Sequence, residues 1–102
     1  MKQRIFAWCL LAIACTVATQ ASAEQIIVAV SANFVPPFRE IALEFEQTTG
    51  HSIKVAAGST GNFYSQIKNG APFDVFFSAD TERPKLLEEE GLGVKDSRVT
   101  YA

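Results

Sequence analysis

Thiols and imidazoles are scarce in this sequence, which has two cysteines and one histidine in 102 residues. Cys9 and Cys15 both lie near the N-terminus, so the rest of the chain has no thiol. Disulfide scaffolds, zinc ribbons and cysteine-based catalysis are therefore excluded for that part. His51 follows a predicted helix end, on the side away from any expected site. We interpret it as a solvated side chain near a helix C-terminus rather than as a catalytic base.

Apolar runs long enough to cross a membrane are also lacking. The N-terminal run from Ile5 to Ala18 is too short to span a bilayer. It follows the basic segment Lys2–Arg4 and precedes Ala21–Ala23, which fits an A-x-A cleavage signal. The pattern predicts a signal peptide over residues 1–23 and an exported, periplasmic mature chain over residues 24–102.

A lipoprotein signal is the alternative for the leader. In that interpretation Cys15 would be acylated and become the new N-terminus. The leucine usually found three residues before such a cysteine is missing here, where Ala12 stands. Cleavage after Ala23 is therefore the preferred prediction.

Positively charged residues are fewer than negatively charged ones after the predicted signal peptide. Lys2 and Arg4 account for two of the nine Lys and Arg residues, which leaves seven against eleven Asp and Glu. The predicted mature chain thus carries a net charge of about −4. A basic face for nucleic acid is excluded as a leading interpretation, and no nucleic-acid partner is expected.

The predicted mature chain repeats one plan three times: an apolar strand, a polar turn and a helix. The strands are predicted at Ile26–Val30, Ile53–Ala57 and Asp74–Ser78. Their starts are 27 and 21 residues apart, which is the length of a strand plus a return helix, and such crossovers join parallel strands. The sequence predicts an α/β fold, an open and mostly parallel sheet with helices on both faces.

The three predicted helices are amphipathic. The first begins near Pro36 and ends at Gly50, the second covers Asn62–Asn69, and the third begins near Pro84. The residues predicted to face inward are Phe34, Phe38, Ile41, Ala42 and Phe45 in the first, Phe63, Tyr64 and Ile67 in the second, and Leu86 and Leu87 in the third. Glu88–Glu90 oppose the dipole of the third helix, so we expect that end to fray in solvent.

The predicted mature chain should have a small hydrophobic core, because it is short and has no disulfide bond to support it. Its last residues, Val99–Ala102, are typical of the start of a strand, yet no turn follows them. We therefore expect the sequence to be incomplete, with residues 24–102 forming the N-terminal part of a larger binding domain.

Polar turns follow the predicted strands, where ligands bind in open α/β sheets. These turns are Ser31–Asn33, Gly58–Gly61 and Ser78–Thr81. The first two carry no charge, and each precedes a helix start with unpaired backbone N–H groups. Such donors favour an oxyanion that carries no proton, since a protonated one needs an acceptor for its own O–H. The alternative is that these polar residues are ordinary helix caps.

Other functional motifs are weak, and an enzyme is not supported. The turn Gly58–Gly61 lacks the lysine and spacing of a phosphate-binding loop, and no G-x-S-x-G nucleophile elbow is present. Asp74 and Asp80 could form a metal site or an acid–base pair. We interpret Asp80 as the cap of the third helix and Asp74 as structural, at the beginning of its strand. Tyr64 and Tyr101 could bind ferric iron, but no other ligand for such a site is visible, and we interpret Tyr64 as a core residue on its helix.

Two stretches resemble the periplasmic molybdate-binding proteins of ABC importers. They are Val28–Phe34 and Ala56–Asp80, and the second contains the specific run Q-I-x-x-G-A-P-x-x-V-F-F-S-A-D; the segment Gly91–Ala102 is also similar. The resemblance implies two α/β lobes that close on one molybdate or tungstate ion, of which this chain would supply part of the first. It also implies a monomeric receptor without a cofactor, whose partner is the membrane permease of the importer.

The resemblance places the oxyanion ligands at Ala32, Asn33, Ser59 and Thr60. Ala32 can contribute only its backbone N–H. Many members have Ser where this chain has Asn33, although an Asn branch exists, and Thr60 keeps the hydroxyl of the Ser common at its position. Molybdate would thus be held through Asn33 and Thr60, and the remaining contacts would come from a second lobe and a Tyr beyond residue 102.

Two alternatives to a molybdate receptor remain open from the sequence. The same scaffold could serve another anion or a metal ion, or the chain could be a truncated fragment without binding activity. The sequence does not distinguish molybdate from tungstate, because the two ions differ little in size and charge.

Overall fold

The computed structural model describes residues 22–101. The predicted signal peptide lies outside the described residues except for Ser22 and Ala23, which are exposed and irregular. The alternative lipoprotein signal at Cys15 also lies outside them. Within residues 22–101, no helix combines the length and the apolar composition that crossing a membrane requires.

Within the described residues, three parallel strands form a sheet in the order β2-β1-β3. They are β1 Gln25–Ser31, β2 Ser52–Gly58 and β3 Val75–Phe77. The central strand β1 is buried from residue 28 to residue 31, as expected for an apolar strand covered on both faces. The predicted open parallel sheet is confirmed, although β3 is shorter than predicted.

The helices are α1 Val35–Thr49, α2 Thr60–Lys68 and α3 Glu82–Glu89, and a 3₁₀ turn at Ala32–Phe34 precedes α1. Gly50 ends α1 with a φ of +76°, as its position predicted. The second helix begins two residues earlier than predicted, so Thr60 belongs to its first turn. The second polar turn, Gly58–Gly61, therefore includes the N-cap and the first two residues of α2.

Helices cover both faces of the sheet, as predicted. Consecutive residues of a strand point to opposite faces, and in β3 these are Phe76 and Phe77. The Phe77 ring lies 4.9 Å from that of Phe38 in α1, whereas Phe76 lies 6.1 Å from Phe63 in α2. Helix α1 therefore packs on one face and α2 on the other.

The core on the α1 face is small. Its buried members are Val28, Val30, Phe38 and Ala42. Ile41 and Phe45, which were predicted to face inward, are 53% and 37% exposed. That prediction was wrong because a three-stranded sheet covers only a narrow stripe of α1, and the predicted apolar face was wider than this stripe.

The C-terminal segment differs from the prediction in two ways. Residues 99–101 form no strand; instead the Tyr101 hydroxyl donates to the Ser78 carbonyl at 2.7 Å, and its ring packs 4.5 Å from Phe34. The acidic end of α3 is held rather than frayed. Glu88 pairs with Arg98 at 3.0 Å, and Glu90 accepts the Tyr64 hydroxyl at 2.9 Å. These partners were missed because Tyr64 and Arg98 both lie outside α3, and the pattern of the helix alone does not show that they reach it.

Candidate anion-binding site

The first two polar turns lie side by side. Ser31, the last residue of β1, is paired in register with Gly58, the last residue of β2. The four predicted ligand residues therefore fall on adjacent turns, with Ala32 and Asn33 on the first and Ser59 and Thr60 on the second.

The first turn supplies donors from its 3₁₀ segment rather than from α1 itself. Pro36 and Pro37 occupy the start of α1 and have no N–H to offer. The Val35 N–H is bonded to the Ala32 carbonyl. Ala32 and Asn33 are both exposed, and their backbone N–H groups are therefore the donors that this turn can offer to a ligand. This arrangement refines the expectation that the helix start itself would present them.

The second turn caps α2 and opens its N-terminus. The Ser59 hydroxyl accepts the Asn62 N–H at 3.2 Å, so this side chain acts as an N-cap. The N–H groups of Thr60 and Gly61 belong to the first turn of the helix, where no acceptor exists within the helix. The second turn can therefore offer backbone donors at the positive end of the α2 dipole.

The Thr60 hydroxyl connects all three turns. Thr60 is buried, with 8% of its surface exposed. Its hydroxyl accepts the Ala79 N–H of the third turn at 3.0 Å and donates to the Ser31 hydroxyl at 3.3 Å. Ser31 in turn donates to the Asn33 side-chain oxygen at 2.8 Å. Sequence reasoning missed this network, because the residue pattern does not show that Ser31 and Ala79 meet Thr60.

The glycines of the second turn make room for side chains. The position of a Cβ on Gly58 would be 3.0 Å from the end of the buried Phe63 ring. A Cβ on Gly61 would lie 3.6 Å from the Arg83 guanidinium. Arg83 is a cation near this turn that sequence reasoning did not find.

The third turn neutralises that cation. The Asp80 carboxylate accepts the Arg83 backbone N–H at 3.0 Å and forms an ion pair with its guanidinium. The backbone N–H of Arg83, with help from the Ser78 hydroxyl and the guanidinium, holds the pKa of the Asp80 carboxyl below its ordinary value despite an opposing effect of burial. Asp80 thus has the capping role that was predicted. The three turns together with Arg83 carry no net charge.

We predict that Asp80→Asn lowers stability in a pH-dependent way. The pKa of Asp80 is depressed in the folded state, so its ionised form stabilises the fold above the ordinary Asp pKa of about 3.9, and this contribution disappears as pH falls through the folded-state value. The difference in unfolding free energy between wild type and variant should be constant from about pH 5 to 7 and shrink below about pH 4. Denaturant unfolding at several pH values would show it; an unchanged difference at about pH 3 would contradict the assignment.

The remaining polar residues singled out in the sequence lie away from the two turns or serve the fold. Asp74 accepts the Ile27 N–H at 2.8 Å, which is the predicted structural role. His51 accepts the Glu24 N–H at 3.0 Å, below the C-terminus of α1. Within residues 22–101, no three His, Cys, Asp or Glu side chains are grouped closely enough to hold a metal ion.

Two molybdate-binding proteins are similar in sequence to this chain. The molybdate-binding protein ModA of Azotobacter vinelandii is 53% identical over 85 residues, covering 83% of this chain and 34% of the relative. ModA of Rhodobacter capsulatus is 49% identical over 92 residues, covering 90% and 36%. The chain spans about a third of the length of these relatives.

Solved structures show the same fold. The periplasmic molybdate-binding protein of Azotobacter vinelandii superposes with a TM-score of 0.72 at 40% identity, over 74% of this chain and 32% of that structure. A substrate-binding domain assigned to a molybdenum ABC transporter of Clostridium difficile gives a TM-score of 0.64 at 28% identity, over 67% and 30%. The family model described as bacterial extracellular solute-binding protein matches residues 26–102. The chain therefore belongs to the bacterial extracellular solute-binding proteins.

Proposed function

We propose that this chain is the N-terminal part of a periplasmic receptor that binds molybdate or tungstate and delivers it to the membrane permease of an ABC importer. The observation that carries the proposal is the pair of adjacent uncharged turns, 31–33 and 58–61, fixed to each other through the Thr60 hydroxyl. The names of the relatives support molybdate over the alternatives of another anion, a metal ion or an inactive fragment.

The turns match a small dianion because they offer donors without a competing positive charge. Arg83 is paired with Asp80, so the attraction would come from N–H dipoles and from the α2 N-terminus. Hydrogen bonds to a charged partner contribute about 1.5–3 kcal/mol each, so a few well-placed donors are enough for tight binding. Because the donors are neutral, the site buries no unpaired charge when the ligand is absent.

The protonation state of the ligand gives the site its selectivity. Molybdate, tungstate and sulfate carry no proton at neutral pH, whereas phosphate does. Its O–H needs an acceptor, and a site built from N–H groups leaves that proton unpaired. Discrimination against the smaller sulfate ion would come from the size of the closed cavity, to which a second lobe contributes.

The ligand residues we propose are the four predicted from the sequence. Ala32 would donate through its backbone N–H, and Asn33 through its backbone and side-chain N–H groups. Thr60 would donate through its backbone N–H, because its hydroxyl is committed to Ser31 and Ala79. Ser59 would act mainly by capping α2 and orienting the turn. The receptor would work as an exported monomer, with no cofactor, no catalytic activity and no nucleic-acid partner.

Isothermal titration calorimetry on the complete receptor tests the function. We expect tight binding of molybdate and tungstate, and binding of phosphate weaker by at least about 1,000-fold, because the unpaired phosphate proton and the cavity size both oppose it. Sulfate and divalent cations are the matched competitors for the alternatives. Comparable affinity for phosphate, or tighter binding of a metal cation than of molybdate, would contradict the proposal.

A further inference from the structure

We propose that Ser31 is a positioning residue that fixes the side-chain amide of Asn33 with its NH₂ group free for the ligand. The inference rests on the proposed function and concerns selectivity at the same site. Ser31 itself is buried, with 5% of its surface exposed, and it would not contact the oxyanion. It would act only through Asn33, which is exposed at the end of the first turn.

A chain of three hydrogen bonds leads from the third turn to Asn33. The Ala79 N–H donates to the Thr60 hydroxyl at 3.0 Å, and the Thr60 hydroxyl donates to the Ser31 hydroxyl at 3.3 Å. The Ser31 hydroxyl then donates to the Asn33 Oδ1 at 2.8 Å. The chain thus begins at a backbone group and ends at the side-chain oxygen of a proposed ligand residue.

The direction of these three hydrogen bonds is fixed by the first donor, the Ala79 N–H. A backbone N–H can only donate, so the Thr60 oxygen is the acceptor at that end. The Thr60 O–H must then find an acceptor in a buried position, and the described part of the chain offers it Ser31. If the Asn33 amide were reversed, its NH₂ group would donate to Ser31, and the O–H of either Ser31 or Thr60, both buried, would be left without an acceptor. A buried hydroxyl hydrogen without an acceptor is unfavourable, so the reversed amide is disfavoured.

The consequence is that Asn33 presents donors only. Its Oδ1 accepts from Ser31 and is held on that side, so the NH₂ group, with its two N–H bonds, faces away from Ser31 and is free for a ligand. A freely rotating Asn could turn its oxygen outward, where it would repel an unprotonated dianion and accept the O–H of a protonated one. Ser31 would therefore support both affinity for molybdate and rejection of hydrogenphosphate.

A double-mutant cycle on the complete receptor tests this role. The variants are Ser31→Ala, Asn33→Ala and the two combined, with Kd for molybdate and for phosphate measured by calorimetry. We expect Ser31→Ala to weaken molybdate binding about tenfold when residue 33 is Asn, and less than about twofold when it is Ala. The preference for molybdate over phosphate should fall with the affinity in the first background only. Ser31→Thr, which keeps the hydroxyl, should restore both to within about threefold of wild type.

General effects of Ser31→Ala on the fold cancel in the cycle, because both backgrounds lose the same partner of Thr60. An equal loss of molybdate affinity in the two backgrounds, or no loss in either, would overturn the inference while wild-type binding of molybdate upholds the proposed function. Wild-type protein that binds phosphate as well as molybdate would overturn the proposed function and this inference together. Thermal melting of each variant identifies any that is misfolded. If Ser31→Ala is misfolded, the Ser31→Thr and Asn33→Ala variants decide instead. A loss of the preference for molybdate over phosphate in Ser31→Thr would then count against the positioning role.

Discussion

Asn33→Asp in the complete receptor should weaken molybdate binding by about 1,000-fold or more. The change is nearly isosteric, but it replaces two N–H donors with a negative charge beside a dianion. Two unit charges about 4 Å apart repel by about 4 kcal/mol at an effective dielectric constant of about 20, which corresponds to about three orders of magnitude in Kd. Ser31 can still donate to the new carboxylate, so the fold should be retained.

Gln47→Glu is the matched control for Asn33→Asp. It adds the same charge to an exposed position near the other end of α1, roughly 18 Å along the helix from Val35. At an ionic strength of about 0.1 M the Debye length is about 10 Å, so this charge should change Kd less than about threefold. If Asn33→Asp bound molybdate as well as the control does, Asn33 would not be a ligand residue.

Thr60→Val should lower the unfolding free energy by about 2 kcal/mol and weaken molybdate binding by about tenfold. Valine fills the same space, but it leaves the Ala79 N–H without its acceptor and the Ser31 hydroxyl without its donor. A buried group left unpaired costs about 1–3 kcal/mol. Binding suffers because the three turns are no longer held in one arrangement. Urea unfolding of the ligand-free receptor measures the change in stability, and titration calorimetry with molybdate measures the change in affinity.

Thr60→Ser separates the hydroxyl from the rest of the side chain. It keeps the hydrogen bonds to Ser31 and Ala79 and removes one methyl group, so its affinity should stay within about threefold of wild type and its stability within about 1 kcal/mol. Equal behaviour of the Val and Ser variants would show that the network linking the turns is unimportant.

Much of the fold could be predicted because each unit has an unambiguous local pattern. The apolar run of β1, the Gly50 stop after α1 and the strand spacing each specify an element without reference to the rest of the chain. The exposure of Ile41 and Phe45 could not be predicted in the same way. Helical periodicity shows which residues share a face, but only the width of the packed sheet decides how much of that face is buried.

The position of the candidate site was also accessible from the sequence, whereas its internal connections were not. Parallel strands bring the turns after β1 and β2 to one edge, which placed Asn33 and Thr60 together. The commitment of the Thr60 hydroxyl to Ser31 and Ala79 depends on where three separate turns meet. The proximity of Arg83 to Gly61 likewise depends on how α3 packs beside α2.

Diffraction from crystals of the complete receptor soaked in molybdate, recorded at the molybdenum absorption edge, tests the central claim most directly. We expect one anomalous peak in the cleft beside both turns, with oxygens of the ion within hydrogen-bonding distance of the Asn33 NH₂ group and the Thr60 N–H. A peak at full occupancy remote from residues 31–33 and 58–61, with these turns unchanged and solvated, would contradict it.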